Sequence, residues 1–294
     1  MANILITGCS GFIGSHLVDY CLNNGDSVIG IDKVSPDKNL PHLSCTKDGS
    51  FTFHQHDIDE KILIKLEDGI DIVFHLAALA SVAKSFETPN DYIQTNVRGT
   101  QNVLEYAIHA KAKKFVFISS SSIYEMLSPY AWSKRAGEDL CTMLCAHYKM
   151  PLVTLRYYNV FGPRQNLRWG YPAVVPNFIK ALLSNDSPMI CGTGNQSRDF
   201  TYVMDVARIS RLLAEAPGTS EIFDIGFQNQ ISINDLLKSI KDISGSDIEP
   251  LFTEARMGDA MRSPPCNSRI RKRFAKTLLD QALKETIDWY RSND

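Results

Sequence analysis

The sequence of 294 residues lacks the features that mark several large classes of protein. It has no run of about 18 uncharged apolar residues, so it predicts no membrane-spanning helix. Its net charge is −2 and no long basic run occurs, which argues against binding of nucleic acid or of an anionic membrane surface. The beginning of the chain lacks the charged segment and long apolar stretch of a secretory signal, and we therefore expect a cytoplasmic protein.

Paired cysteine motifs are also missing. The seven cysteines are an odd number without C-x-x-C spacing, a pattern that indicates neither a disulfide framework nor a zinc site. Cys141 and Cys145 lie four residues apart on a predicted helix face, where we expect buried apolar thiols. We accordingly expect no bound metal.

The sequence does contain a repeated alternation of short apolar runs and longer helical patterns. The predicted strands are residues 3–7, 27–31, 51–53, 71–75, 114–119 and 152–156. Their continuous apolarity indicates burial on both faces, as in a parallel sheet covered by helices. The expected fold is therefore α/β, with a doubly wound parallel sheet of the Rossmann type.

Helical patterns connect these strands and also follow them. They cover residues 12–24, 89–110, 129–149, 175–184, 232–243 and 278–290, and a late apolar run at 222–225 predicts a returning strand. We expect a dinucleotide-binding domain over residues 1–160 with a returning segment near 200–226. A smaller, discontinuous substrate lobe is expected over 161–199 and 227–294. Long helices beside such a sheet often pack against a second subunit, so we also expect a homodimer.

A glycine-rich loop follows the first predicted strand, in the segment Gly8-Cys9-Ser10-Gly11-Phe12-Ile13-Gly14. Any Cβ at these glycines would block the turn or the approach of a pyrophosphate to the N–H groups of the following helix. The same triplet also fits an ordinary tight turn.

An acidic residue, Asp32, ends the second predicted strand. It lies close to the offset of about 20 residues at which a carboxylate reaches the ribose hydroxyls of a dinucleotide. A carboxylate there repels the 2′-phosphate of NADP and favours NAD, whereas the cation of Lys33 is able to accommodate a phosphate. The alternative for Asp32 is a turn residue at the end of a strand.

A tyrosine and a lysine stand one helical turn apart in Tyr130-Ala131-Trp132-Ser133-Lys134. The charge of the lysine lowers the pKa of the tyrosine from its ordinary value of about 10 and favours the phenolate. Such a pair can accept a proton from an alcohol while hydride leaves the same carbon. Taken alone, the spacing occurs by chance in many helices, where a solvated helix face is the usual explanation.

These segments resemble the extended short-chain dehydrogenase/reductases, and among them the NAD-dependent epimerase/dehydratase family. Further matches occur in the family's order at Asp57-Ile58, His75-Leu76-Ala77-Ala78 and Asn96-Val97-x-Gly99-Thr100. The resemblance implies NAD as cofactor. The cofactor contacts that it implies are Gly8, Gly11, Phe12, Ile13, Gly14, Asp32, Lys33, Asp57, Ile58, Leu76, Ala77, Ala78, Asn96, Tyr130, Lys134 and Tyr158.

The resemblance also implies catalytic roles for Ser120, Tyr130 and Lys134. In the family, a serine or threonine four residues before Tyr124 hydrogen-bonds the reacting hydroxyl; this position is Ser120, with Ser121 as the alternative. The segment around 170–176 is similar to UDP-N-acetylhexosamine and UDP-hexuronate 4-epimerases. The implied substrate contacts are Ser120, Ser121, Asn159, Ala173, Val174, Arg198, Arg256 and Asp259, and Ser263 matches a position that limits the C2 substituent of the sugar.

Two departures from the family pattern bear on function. Dehydratases of the family carry an Asp-Glu pair directly after the catalytic threonine, where this sequence has Ser121 and Ser122. Only five residues separate Tyr124 from Tyr130, where relatives have a longer loop, so part of the pocket wall is missing or is supplied otherwise.

The function that the resemblance implies is a UDP-sugar 4-epimerase acting through a transient 4-keto sugar. Its substrate is a nucleotide-diphosphate sugar of the UDP-Glc, UDP-GlcNAc or UDP-GlcA class. Dehydratases, decarboxylating synthases and reductases that use the same intermediate are the enzymatic alternatives. A catalytically silent NAD-sensing module is the alternative from another class.

Overall fold

The computed structural model describes residues 1–36, 50–65, 69–165, 173–215, 220–255, 261–266 and 269–293. These residues form two compact units, each composed of two stretches of chain. The first unit comprises Met1–Arg156 and Ala207–Phe223, and the second comprises Tyr157–Val206 and Asp224–Asp294.

The first unit contains a seven-stranded sheet with the order β11-β6-β5-β4-β1-β2-β3. Its strands are β1 (Asn3–Thr7), β2 (Ser27–Asp32), β3 (Phe51–Gln55), β4 (Ile72–His75), β5 (Lys114–Ser120), β6 (Leu152–Tyr157) and β11 (Ser220–Ile225). The pairings from β3 through to β5 are all parallel. The strand order reverses at β1 and β4, which is where doubly wound sheets bind ligands. The predicted fold class is confirmed.

Helices flank this sheet, whose central strands β1, β4, β5 and β6 are mostly buried. The helices are α1 (Phe12–Asn23), α2 (Val82–Glu87), α3 (Pro89–Ile93), α4 (Thr100–His109), α5 (Pro129–Tyr148) and most of α7 (Val203–Ala214). The core cluster between strands and helices includes Leu5, Val73, Phe115 and Cys141. Cys141 and Cys145 are buried thiols, as the helical spacing predicts.

The predicted helix over residues 89–110 is interrupted by a π-helical turn, Gln94–Gly99. Two contacts accompany the wider turn. The Thr100 hydroxyl donates to the carbonyl of Asn96 (2.7 Å), and a Cβ on Gly99 would lie only 2.8 Å from Ile58 Cδ1. Such turns are frequent at functional sites.

The second unit contains short strand pairs and helices. The strands are β7 (Val160–Phe161), β8 (Met189–Cys191), β9 (Ser197–Asp199), β10 (Thr201–Tyr202), β12 (Gln230–Ser232) and β13 (Leu251–Thr253). They pair as β10 with β7, β12 with β9, and β13 with β8. The remaining helices are α6 (Val174–Leu183), α8 (Ile233–Ser244), α9 (Arg269–Arg273) and α10 (Leu279–Asn293).

The helix α7 is absent from the sequence-based prediction. Its β-branched start at Val203 follows directly on β10, and no proline or capping pair marks the change from strand to helix. Within the described ranges, no helix is both long enough and apolar enough to cross a membrane.

Candidate active site

The glycine-rich loop lies where β1 and β4 end side by side. Thr7 and His75 are register partners at these ends, and the two chains then run on as Gly8 and Leu76. Gly8 has φ 74°, and a Cβ on it would lie 2.7 Å from the backbone nitrogen of Ala77. A Cβ on Gly14 would lie 2.0 Å from the Gly8 carbonyl oxygen. The loop is therefore closed to any larger residue at both positions.

The loop opens α1 in a form that suits a pyrophosphate. Gly11 is the N-cap of α1, and as a glycine it makes no side-chain hydrogen bond to the N–H groups of the first turn. Such a helix terminus carries partial positive charge and binds phosphate groups through the backbone. The residues present here fit a dinucleotide.

Asp32 lies beside this loop and holds it in place. Its carboxylate accepts hydrogen bonds from the backbone N–H of Ser10 (3.0 Å) and of Val34 (3.0 Å). Burial raises the pKa of this carboxyl, and the backbone donors oppose the rise. Lys33 pairs with Asp57, with 3.5 Å between Nζ and Oδ2, so a carboxylate offsets this cation next to Asp32. This pairing favours NAD over NADP.

Two implied cofactor residues have side chains that are committed elsewhere. The Asn96 amide accepts from the Leu79 N–H (2.8 Å) and donates to the Leu79 carbonyl (2.9 Å) and to Ser133 Oγ (2.9 Å). Both of its N–H donors are in use, so Asn96 ties the loop after β4 to α5. The Ile58 side chain lies in the core, which leaves only the backbone of that residue for a ligand.

A buried histidine, His75, links the loop after β1 to the π-helical turn. Its Nδ1 lies 2.8 Å from Thr7 Oγ1, and its Nε2 lies 2.9 Å from Thr100 Oγ1. Because the Thr100 hydroxyl donates to the Asn96 carbonyl, its oxygen must accept from Nε2–H, which assigns the tautomer of the ring. Burial, and secondarily the charge of Lys134, lowers the pKa of His75 to about 3.

Ser120 ends β5 and caps the short 3-10 helix Ser121–Tyr124. Its Oγ accepts from the backbone N–H of Ser122 (3.2 Å) and lies 2.9 Å from Ser122 Oγ, which donates to it. Ser120 is half-buried, whereas Ser121 is 9% exposed. The more accessible hydroxyl is that of Ser120, the first choice of the sequence analysis.

Tyr130 lies in the first turn of α5, directly after the cap formed by Ser128 and Pro129. Its ring packs edge-on against Tyr92, with 6.3 Å between centroids. Lys134 follows one turn later and is 4% exposed, with Nζ 4.7 Å from the centre of the Phe117 ring. Burial lowers the pKa of Lys134 to about 8, so the ammonium form still predominates at neutral pH.

In the second unit, Asn159 and Arg198 lie near Ser263. Asn159 has φ 21° and donates from Nδ2 to Ser263 Oγ (2.9 Å). The same oxygen accepts from the backbone N–H of Asp199 (3.2 Å), next to Arg198 on β9. Arg198 donates to the Ser197 carbonyl (2.8 Å). The buried Ser263 hydroxyl therefore orients Asn159 and also β9, the strand that carries Arg198.

Asp199 is a buried carboxylate that the sequence analysis did not select. It accepts backbone N–H groups of Phe227 (3.0 Å), Gln228 (2.8 Å) and Asn229 (3.3 Å), which fixes the turn after β11. Burial raises its pKa. Its place directly after Arg198 was the only sequence signal.

The placement of the other implied residues in the second unit is mixed. Ala173 is the N-cap of α6 and makes no side-chain cap, and Val174 begins that helix. A helix N-terminus without a capping side chain suits the binding of an anion. The cofactor contact that the resemblance implies for Tyr158 stays a prediction. Tyr158 is fully buried, packs against Gly226 and directs its hydroxyl at the Pro265 carbonyl. Arg256 and Asp259 lie outside the described residues.

Comparison with known proteins decides the family. The family model described as NAD dependent epimerase/dehydratase matches residues 4–226. The chain belongs to this family. A curated relative, the putative UDP-glucose 4-epimerase of Methanocaldococcus jannaschii, is 33% identical over 308 residues, which cover 99% of each chain.

Two solved structures resemble this epimerase/dehydratase family member along its whole length. The UDP-N-acetylglucosamine 4-epimerase from Methanobrevibacter ruminantium M1, in complex with UDP-N-acetylmuramic acid, is 34% identical with a TM-score of 0.91, covering 100% of this chain and 99% of the other. The UDP-glucuronic acid 4-epimerase from Bacillus cereus, in complex with UDP-glucuronic acid and NAD, is 32% identical with a TM-score of 0.90, covering 99% and 100%. The predicted family and its NAD dependence are confirmed.

In this family member, the described residues include no cluster of three or more His, Cys, Asp or Glu side chains placed to hold a metal ion.

Proposed function

We propose that this protein is an NAD-dependent UDP-sugar 4-epimerase, with substrates of the UDP-Glc, UDP-GlcNAc or UDP-GlcA class. The observation that carries the proposal is the buried ammonium of Lys134, one turn from Tyr130 on a helix that begins beside the end of β5. The names of the relatives described above support the substrate class.

The proposed chemistry is a reversible oxidation at C4 of the sugar. As phenolate, Tyr130 takes the proton of the C4 hydroxyl, and Ser120 hydrogen-bonds the same oxygen. NAD, when bound, supplies the acceptor and later the donor of the C4 hydride. The 4-keto sugar turns over, and Tyr130 returns the proton. Lys134 stabilises the phenolate, because it remains mostly protonated near pH 7.

The second unit supplies the residues that we propose for the nucleotide diphosphate. These are Asn159, Ala173, Val174, Arg198, Arg256 and Asp259. Arginine suits a diphosphate because its planar fork donates two hydrogen bonds with a permanent charge. Binding of this remote group orients the reacting carbon, an effect worth several kcal/mol, on the order of 7–11 at best.

Elimination is disfavoured by the residues next to Ser120. A dehydratase needs an acid and a base to remove the C5 proton and expel the C6 hydroxyl, and Ser121 and Ser122 stand where its family members carry Asp and Glu. Neither hydroxyl is an effective acid or base at neutral pH. Epimerisation requires neither group.

The test is incubation of the purified protein with UDP-Glc, UDP-GlcNAc and UDP-GlcA, with products identified by NMR. We expect the C4 epimer of at least one substrate, without net consumption of NAD. Tyr130→Phe should abolish turnover, whereas Tyr148→Phe, on an exposed part of the same helix, should not. Loss of water or carbon dioxide from the sugar would exclude an epimerase, and binding of NAD without any turnover would favour a sensing module.

We further propose that the enzyme is a cytoplasmic homodimer. Support comes from the apolar side chains that α5 leaves exposed, with Met143 63% and Trp132 48% accessible. Light scattering after size-exclusion chromatography should give twice the chain mass of 32.9 kDa. A single-chain mass would contradict the dimer.

A further inference from the structure

An arginine connects the turn that carries Ser120 with the helix that carries Tyr130 and Lys134. Arg156, near the end of β6, donates from Nε to Glu138 Oε1 (2.9 Å) and from Nη2 to Glu138 Oε2 (2.7 Å). The pair is bidentate and largely buried, with the two side chains 13% and 6% exposed. Two such parallel bonds fix the plane of the guanidinium.

The third arm of the same guanidinium reaches Tyr124. Arg156 Nη1 donates to the Tyr124 hydroxyl (2.8 Å), and the guanidinium carbon lies 5.0 Å from the centre of the Tyr124 ring. Tyr124 ends the 3-10 helix that Ser120 caps, four residues away. Arg156 therefore joins Glu138, one turn beyond Lys134, to the turn of the proposed catalytic serine.

The connection between Ser120 and Tyr130 along the chain is short. Only residues 125–129 separate Tyr124 from Tyr130, and Met126 takes φ 54°. The N–H groups of Glu125 and Met126 both bond to the Ser122 carbonyl, at 3.3 and 3.2 Å, which closes the turn upon itself. Neither bond fixes the turn relative to α5.

We propose that Arg156, held by Glu138, acts through Tyr124 as a positioning device that sets Ser120 against Tyr130. Arg156 and Tyr124 are positioning residues and do not contact the reacting atoms. The inference rests on the proposed epimerase function, because it concerns the relative placement of the two groups that bind the C4 oxygen. A displacement of about 1 Å at such a site is enough to lower turnover by up to about a hundredfold.

The decisive variant is Tyr124→Phe, which removes one hydroxyl from a side chain that is 45% exposed. The ring stays beside the guanidinium, and the buried ion pair remains intact. We expect kcat to fall roughly tenfold while KM for the sugar nucleotide stays within about twofold and the melting temperature is unchanged. Tyr148→Phe is the matched control and should leave all three values as in the wild type.

Hydrogen exchange of the NAD-loaded enzyme gives a readout that does not depend on turnover. Tyr124→Phe should speed amide exchange in the segment 120–126 and leave the segment 134–148 as in the wild type. Arg156→Lys, which keeps a charge but loses the fork, should cause the same local change and a larger fall in kcat.

Three outcomes for Tyr124→Phe would overturn the positioning proposal. Unchanged kcat and unchanged exchange in Tyr124→Phe would overturn the proposal. A rise in KM alone would mean that Tyr124 touches substrate, and a fall in melting temperature alone would mean a purely structural contact. Either result would also overturn it. If the wild type turned over no sugar nucleotide, the epimerase proposal would fail, and local exchange would still decide whether Arg156 holds the turn.

Discussion

Gly14 offers the sharpest test of the cofactor site, because a methyl group there meets only backbone. In Gly14→Ala, the new Cβ would lie 2.0 Å from the Gly8 carbonyl oxygen and 2.8 Å from the Gly8 carbonyl carbon. Contacts below 3.0 Å do not occur at real Cβ atoms, so the loop after β1 or the start of α1 must move by about 1 Å. Either movement displaces the N–H groups proposed for the pyrophosphate.

The magnitudes predict a larger effect on cofactor binding than on stability. Overpacking costs about 1–3 kcal/mol, and replacing glycine with alanine inside α1 returns up to about 1 kcal/mol of helix propensity. The net loss in the free energy of unfolding is therefore about 0–2 kcal/mol. One misplaced hydrogen bond to a charged phosphate costs about 1.5–3 kcal/mol, which corresponds to a ten- to hundredfold weaker affinity for NAD.

Calorimetric titration with NAD and thermal unfolding without NAD would measure the two effects separately. Gly69→Ala is the matched control, since a Cβ at that position has no neighbour within 4 Å among the residues that the structure describes. It should leave NAD affinity unchanged and stability within about 0.5 kcal/mol. Wild-type NAD affinity in Gly14→Ala would refute the assignment of this loop to the cofactor.

Three further predictions concern buried charge. Burial lowers the pKa of the Lys134 ammonium from 10.5 to about 8, and Lys134→Met removes this buried charge. In the absence of NAD at pH 7, the variant should have a free energy of unfolding higher by about 3 kcal/mol in urea denaturation, while turnover is lost. A lower stability would contradict this account of the site. Because the pKa of His75 is depressed in the folded state, the unfolded chain binds an extra proton below pH 6.5. The free energy of unfolding should therefore fall toward acid by up to about 1.4 kcal/mol per pH unit. His75→Gln should flatten this dependence in denaturation curves recorded from pH 7 to 5. An equally steep curve for the variant would assign the acid sensitivity to other groups. Arg211 and Asp26 form a buried bidentate pair (2.7 and 3.2 Å), so Arg211→Met leaves a buried carboxylate unpaired and should lower the free energy of unfolding by about 3–5 kcal/mol. The double variant Asp26→Leu/Arg211→Met removes that carboxylate too and should lose distinctly less stability. Equal losses would mean that the unpaired carboxylate is not the cause.

The parts of the fold that follow from local pattern were predictable. The strands of the first unit lie within two residues of their predicted limits, because most of them are short apolar runs that the sheet buries. The two long helices opened by proline begin where expected, at Pro89 and Pro129. The interruption of the first by a π-helical turn was not predictable, since the contacts of Asn96 and Gly99 join it to distant segments.

In the candidate site, too, local motifs were predictable from the sequence and contacts between distant residues were not. Tyr158 stands in the motif that the resemblance selects, but only the packing around Gly226 shows that its side chain is buried. The roles of Glu138 and Arg156 had no signal of their own in the sequence. Their contact joins positions 18 residues apart, and the contact of Arg156 with Tyr124 joins positions 32 apart.

The sequence by itself determined those features that a few neighbouring residues control. The glycine loop is one, because φ 74° at Gly8 and the close approach at Gly14 admit no other residue, and the one-turn spacing of Tyr130 and Lys134 is another. Tertiary structure alone decided the environments of those groups. Lys134 loses its hydration because α5 packs it over Phe117 of β5, and Tyr124 is tied to Glu138 of α5 through an arginine of β6. Burial and long-range hydrogen bonds arise only when segments distant along the chain meet, and for that reason no local pattern encodes them.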